Sequence, residues 1–207
     1  MKRREVLKGL GLATGFLVAT PAALSVLQSC KGKEETWSAV FLNPEEKNLV
    51  ANLVDIILPS GNTPGGLELN LPQFIDLMCM DTLSEEEQLL FHEGSKVFGN
   101  RLEEISGKKT KKAAKKDIEE LFLSYFQLEP EDEGKVKYML YGNRDDLGEI
   151  EKSNFDLYKF LFTVRQLSLL GYFTSEKVGT EVLNFDPIPG EYIPCIPVSE
   201  IGNAWTI

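Results

Sequence analysis

Apolar positions along this chain recur at the spacing of one helical face, and no stretch alternates apolar with polar residues long enough to build a sheet. Val50, Leu53, Val54, Ile57 and Leu58 form the first such face. Its start is written in Asn43-Pro44-Glu45-Glu46, which supplies an N-cap, a proline at the first helical position and a glutamate placed for a capping box. Its end is Pro59, which lacks an N–H and pushes Leu58 out of helical angles. A second helix opens at Pro72. Ser84-Glu85-Glu86-Glu87 repeats the capping-box signature, and that helix is predicted to run to Ile105 and stop at Gly107. A fourth spans 112–128 on Ile118, Leu121, Phe122, Tyr125 and Phe126, with Pro130 as its stop. Residues 136–141 give a short helix closed by Gly142-Asn143. The longest apolar helix starts at Ser153 and carries Phe155, Tyr158, Leu161, Phe162, Arg165, Leu169 and Leu170 to its end at Gly171. The pattern predicts an all-α fold, an irregular helical bundle with a long extended Pro-rich C-terminal segment.

Two segments interrupt the helices. The loop 59–70 contains Pro59, Gly61, Thr63, Pro64, Gly65 and Gly66, mixing fixed φ at proline with free φ at glycine. That composition specifies a shape, and the loop holds no His or Cys and no carboxylate before Glu68. Its expected role is to pack or to dock. The tail reads F-D-P-I-P-G-E-Y-I-P-C-I-P-V from Phe185, with prolines that favour extended, polyproline-like backbone. It is too apolar for a disordered tail, so it must wrap its own domain or a partner; its own domain is the favoured reading.

At 207 residues the chain can bury one core without staples, and its 43% hydrophobic content is that of a globular protein. Charge divides it. Residues 1–29 hold Lys2, Arg3, Arg4 and Lys8 against Glu5, a net of +3, so the rest of a chain with formal charge -10 carries -13. An acidic body argues against nucleic acid as a partner. The basic block around Lys108, Lys109, Lys111, Lys112, Lys115 and Lys116 reads as a solvated helix end.

The first thirty residues have the layout of an export signal, with a charged start and an uncharged stretch from Gly9 to Leu27. Arg3 and Arg4 ahead of that stretch resemble a twin-arginine (Tat) signal, although Lys2 and Val6 depart from its usual serine and phenylalanine. Leu27-Gln28-Ser29-Cys30 resembles a bacterial lipobox with Cys30 as the lipidated residue. Gln28 stands where a small residue is usual, which leaves ordinary cleavage or a retained helical anchor as alternatives. The expected organisation is a signal over 1–30, a tether over 31–43 and a single helical domain over 44–207.

Candidate chemistry is sparse. No Gly-x-Gly-x-x-Gly follows a strand, and no Cys-x-x-Cys-His marks covalent haem. The single histidine, His92, lies in a capped helix and reads as an ordinary helix residue. Paired acids such as Asp145-Asp146 and Glu103-Glu104 sit in solvated settings. The expectation is no catalytic, cofactor-binding or metal-binding residue in this chain. Arg165, on an apolar face, reads either as a rim residue with a buried stem or as half of a buried ion pair, the second being the favoured reading. Cys79 reads as a small buried hydrophobe, and a Cys79–Cys195 disulfide is the less favoured arrangement.

The loop motif with Phe74-Ile75-Asp76, then Gly171, Tyr172, Phe173, Thr174, Ser175 and Gly179, and the close F-D-P-I-P-G with Pro189, Gly190, Tyr192, Cys195 and Trp205 agree in order with one family. The chain resembles the small (gamma) subunit, subunit 3, of membrane-bound gluconate 2-dehydrogenase over roughly residues 44–205. The resemblance implies an accessory subunit that carries the export signal and helps a partner fold or bind. It implies that FAD and the chemistry belong to a large flavoprotein of the glucose-methanol-choline (GMC) type, and that a cytochrome c with haem c can complete the complex. It also implies an exported protein on the periplasmic side of the envelope, held at the membrane through a lipid anchor. The residues alone leave a second class open, a free-standing helical lipoprotein acting as a periplasmic binding module. A neighbouring gene for a flavoprotein without its own signal would discriminate the two.

Overall fold

In a computed structural model the described residues are 37–185, 188, 190–191 and 195–205. They contain eight α-helices: α1 Pro44–Ile57, α2 Leu71–Thr82, α3 Glu85–Ser106, α4 Lys115–Phe126, α5 Pro130–Tyr141, α6 Glu149–Phe173, α7 Glu176–Glu181 and α8 Val198–Ile201. Short 3-10 turns, Thr110–Lys112 and Arg144–Asp146, precede α4 and α6. No strand occurs among the described residues, and β pairing there is a single bridge between Asn184 and Trp205. The fold is all-α, as the periodicity predicts.

The bundle is assembled on α6. Its 25 residues make it the longest helix, and α3 lies along it over most of their shared length, with α2, α1 and α5 packed around. Phe160 is the pivot: its ring meets Phe91 edge-on at 4.9 Å and Phe98 at 6.3 Å, and all three are fully buried. Gly94 lets the two backbones approach. A Cβ built there would lie 2.1 Å from the carbonyl oxygen of Asp156, so no larger residue fits without parting α3 from α6. Gly171 does the same against α2, where a Cβ would meet Phe74 at 2.8 Å and Leu71 at 2.9 Å. It therefore sits inside α6, two residues before the end, and does not terminate the helix as the sequence suggests.

Local signals place the ends of α1 and α3 well, whereas α6 begins at Glu149, four residues before the expected Ser153. Asn43 caps α1 and Ser84 caps α3, each in a reciprocal capping box with Glu46 or Glu87. Gly107 closes α3 at φ 65°. Pro130 both follows α4 and opens α5 as its first residue, so α5 begins six residues before the expected Val136. The tail is not wholly extended either, since α8 forms directly after Pro197.

Buried carboxylates tie the chain's beginning to the bundle. Asp76 is 1% exposed, and its Oδ1 accepts N–H bonds from Phe41 at 3.0 Å and Leu42 at 2.7 Å while Oδ2 accepts from Val40 at 2.9 Å. Residues 40–42 are thus docked onto α2, with Leu42 in the core, although the sequence assigns them to a tether. Asp76→Ala would orphan these donors and should cost about 3 kcal/mol of unfolding free energy. Asp76→Asn, which keeps Oδ1, should cost clearly less; equal losses in urea titration would show that the hydrogen bonds do not hold this segment. Beside it, burial first and the Asp76 and Glu46 carboxylates next push the Cys79 thiol up to about 12, so this cysteine is inert at neutral pH.

Candidate docking surface

The loop 59–70 owes its shape to its glycines. Gly66 donates to the carbonyl of Leu58 at 2.8 Å and accepts from Leu71 at 3.0 Å, which turns the chain from α1 into α2. Asn70, at φ 53°, makes the last turn. Gly65 and Gly66 are buried, and neither has positive φ. They are required by close approach: a Cβ on Gly65 would lie 2.7 Å from the backbone nitrogen of Ser60, and one on Gly66 would lie 2.5 Å from Val54 Cγ1. Gly61, Thr63 and Pro59 form the exposed tip, Pro64 is half-buried, and a Cβ on Gly61 would meet nothing. Gly65→Ala should therefore destabilise the chain by about 1–3 kcal/mol, while Gly61→Ala should be near neutral. Two indistinguishable melting curves would remove the packing argument.

The family motif after α6 comes next to this loop. Lys177 on α7 lies 3.8 Å from Glu68 of the loop, and Gly171 presses on α2 just beyond it. Tyr172 is buried, and Thr174 caps α6 with its N–H and hydroxyl both on the carbonyl of Leu170. Ser175 caps α7, its Oγ accepting from Val178 N–H, and Gly179 N–H returns to the Ser175 carbonyl at 2.9 Å. Asn184 then pins the tail. Its N–H donates to Ala204, and its side-chain amide donates to the carbonyls of Ile201 and Asn203. The described part of the tail thus folds back on residues 182–184 of its own domain.

The result is a hydrogen-bonded turn with aromatic side chains facing water. Phe173 is 42% exposed, Phe185 63% and Trp205 57%. Phe173 and Phe185 line a cleft of about 270 Å³ with Thr174, Ser175, Gly179 and Thr180. Gly190 is exposed in open space. Arg3, Arg4, Cys30 and Pro189, with Tyr192 beside the last, lie outside the described residues.

Other candidates resolve differently. Arg165 is exposed on α6 and is no half of a buried pair, because its position points off the helix face that meets α3. A half-buried pair is made instead by Arg144, whose bidentate grip on buried Asp156 at 2.6 and 2.6 Å raises its own pKa further. Cys79 and Cys195 are free thiols, the first buried and the second exposed. The lysine block pairs with carboxylates: Lys111 with Glu45, Lys115 with Asp55, Lys116 with Glu120 and Lys108 with Asp117. His92 opens onto a cavity of about 400 Å³ and stacks on Phe41 at 4.4 Å. Its Nδ1 and the Ser95 hydroxyl both turn to Glu46 Oε1 at 2.8 Å, so the serine is not presented to the imidazole as a nucleophile would be. The long-range pairs Glu46–His92 and Arg144–Asp156 were not legible beforehand.

The described residues thus form an all-α scaffold with a packed loop, a capped turn and aromatic side chains left in water. Residues 44–190 match the family described as Gluconate 2-dehydrogenase subunit 3, and the chain belongs to it. The match ends at Gly190, so Cys195 and Trp205 lie beyond it. No curated protein and no solved structure matches the chain.

Proposed function

We propose that this chain is the non-catalytic small subunit of an exported, membrane-associated, FAD-dependent dehydrogenase of sugars or alcohols, of the gluconate type. The observation that carries the reading is the family match across the helical domain. Within that reading, FAD is held by a GMC-type large subunit, and a cytochrome c with haem c is a further partner. The small subunit brings the Tat signal at Arg3 and Arg4, and Cys30 supplies the lipid anchor on the periplasmic side.

The face built from the Gly171–Gly179 turn and Phe185 is the flavoprotein's docking surface. Exposed aromatic side chains on a rigid backbone lose little entropy on binding, which is why such residues dominate interfaces. The test is co-expression with a GMC-type flavoprotein, followed by co-purification and a flavin absorbance scan. The wild-type chain should bring down a flavin-containing partner. Phe173→Ser with Phe185→Ser should keep the helical spectrum and lose at least about tenfold in affinity, the scale of one interface hot spot. Retention of the flavoprotein by that variant would remove the docking face, and absence of any flavin with the wild-type chain would remove the function.

A further inference from the structure

We propose that the groove between α5 and α6 seats a cationic segment of a partner protein, with lysine or arginine side chains laid over its tyrosines. The inference stands on different residues from the flavoprotein face and does not rest on that reading. The groove has a volume of about 1250 Å³. Tyr125 and Tyr158 form its floor, their rings edge-to-face at 5.5 Å. Tyr138 and Tyr141 stand on its rim and are 84% and 90% exposed.

The helix that presents those rim tyrosines is held weakly by the rest of the domain. α5 has no buried residue. A helix of 12 residues gains little stability from its backbone alone. Its turns are supported by surface ion pairs that solvent screens, Lys135 with Glu131 at 3.0 Å and with Asp132 at 2.9 Å, and Lys137 with Glu133 at 2.7 Å. An element of this kind leaves its apolar rings in water until something covers them.

Charge selects the occupant. Glu131, Asp132, Asp146 and Glu151 line the groove against Lys135 alone, and the body beyond residue 29 carries -13. A second copy of the chain or an anionic lipid surface would be repelled. A cation is attracted twice, by the carboxylates and by the faces of the tyrosine rings. The floor already accepts a guanidinium from behind: Arg101 lies 5.7 Å from the centroid of Tyr125 and donates to its hydroxyl and to Asn154 Oδ1, both at 2.6 Å. With Arg101 counted, the lining remains negative.

The test uses the purified full chain and a labelled synthetic peptide with lysine and arginine on one helical face and leucine on the other, followed by fluorescence anisotropy. Binding should weaken steeply between about 0.05 and 0.5 M salt, as the screening length falls from about 14 Å to about 4 Å. Asp132→Lys with Asp146→Lys should weaken binding at least about tenfold, and Tyr138→Ser with Tyr141→Ser should do the same. These positions are exposed, and because Asp132 also pairs with Lys135 at 2.9 Å a helical spectrum is recorded for each variant, so that lost binding with α5 intact is what counts. Glu104→Lys with Glu119→Lys, equally exposed but outside the groove, should leave binding unchanged. An equal loss in that control would reduce the effect to general acidity and overturn the proposal. So would absence of binding, or preference for a glutamate-bearing peptide, an anionic vesicle or a neutral oligosaccharide.

Discussion

Gly94→Val should unfold the domain, and Gly94→Ala should already remove about 3 kcal/mol or more of its stability. The reason is that the contact is with backbone. A methyl group at Gly94 would sit 2.1 Å from the Asp156 carbonyl oxygen and 2.7 Å from its carbon, and neither can rotate away. Relief requires α3 and α6 to separate, and that separation would open the Phe91–Phe160–Phe98 stack between them. The Arg144 grip on the Asp156 side chain would shift with it. Gly134 on α5 is the control of opposite sign. Its Cβ would meet nothing within 4 Å, so Gly134→Ala should stabilise α5 by up to about 1 kcal/mol through helix propensity alone. Urea titrations of the two alanine variants decide it: similar shifts would mean that glycine acts at Gly94 through propensity and not through the crossing.

Two other glycines, Gly107 and Gly171, show where sequence reading succeeds and where it stops. Gly107 was legible as a helix end because a C-terminal glycine has a local cause, and it is found at φ 65°. Gly171 carries the same letter and was read in the same way, yet its cause is non-local. Leu71 and Phe74 lie about a hundred residues earlier, and only the fold brings them against it. The capping boxes at Asn43 and Ser84 were legible for the local reason, since donor and acceptor are three residues apart. Asp76 holding residues 40–42, Glu46 holding His92, and Arg101 reaching Tyr125 and Asn154 were not. Their partners are separated by tens of residues and leave no periodic trace.

The loop divides along the same line. Its composition announced a fixed shape, and Gly65 and Gly66 are buried in contacts that allow no side chain. What composition could not supply was the cause, which is contact with Ser60 and Val54 at ordinary φ. Exposure is harder still to read. Phe155, Tyr158 and Phe162 lie on the same predicted face, but the first two are buried while Phe162 is 38% exposed. Period alone ranks apolar residues equally; the neighbours that cover one and leave another belong to tertiary structure.

Replacing Arg3 and Arg4 with lysine should stop export of this chain and, with it, of the flavoprotein it is proposed to carry. The substitution keeps two positive charges, so a signal read by charge alone would still function. It removes two planar guanidinium forks, which a receptor can grip in a bidentate geometry that an ammonium cannot reproduce. A flavoprotein must fold around FAD before it crosses, and a partner without its own signal can cross only while bound. The domain from Pro44 onward would then be complete in the cytoplasm. Its construction fits that order, because the core forms from Phe91, Phe98 and Phe160 on α3 and α6, and Cys79 and Cys195 are free, so no described part of the fold waits for an oxidising compartment. Fractionation with an assay on each pool reads the outcome. Dehydrogenase activity should be present in the cytoplasmic fraction of the variant and absent from its periplasmic and membrane fractions. If the flavoprotein reaches the envelope regardless, it travels by its own route and the carrier role is wrong.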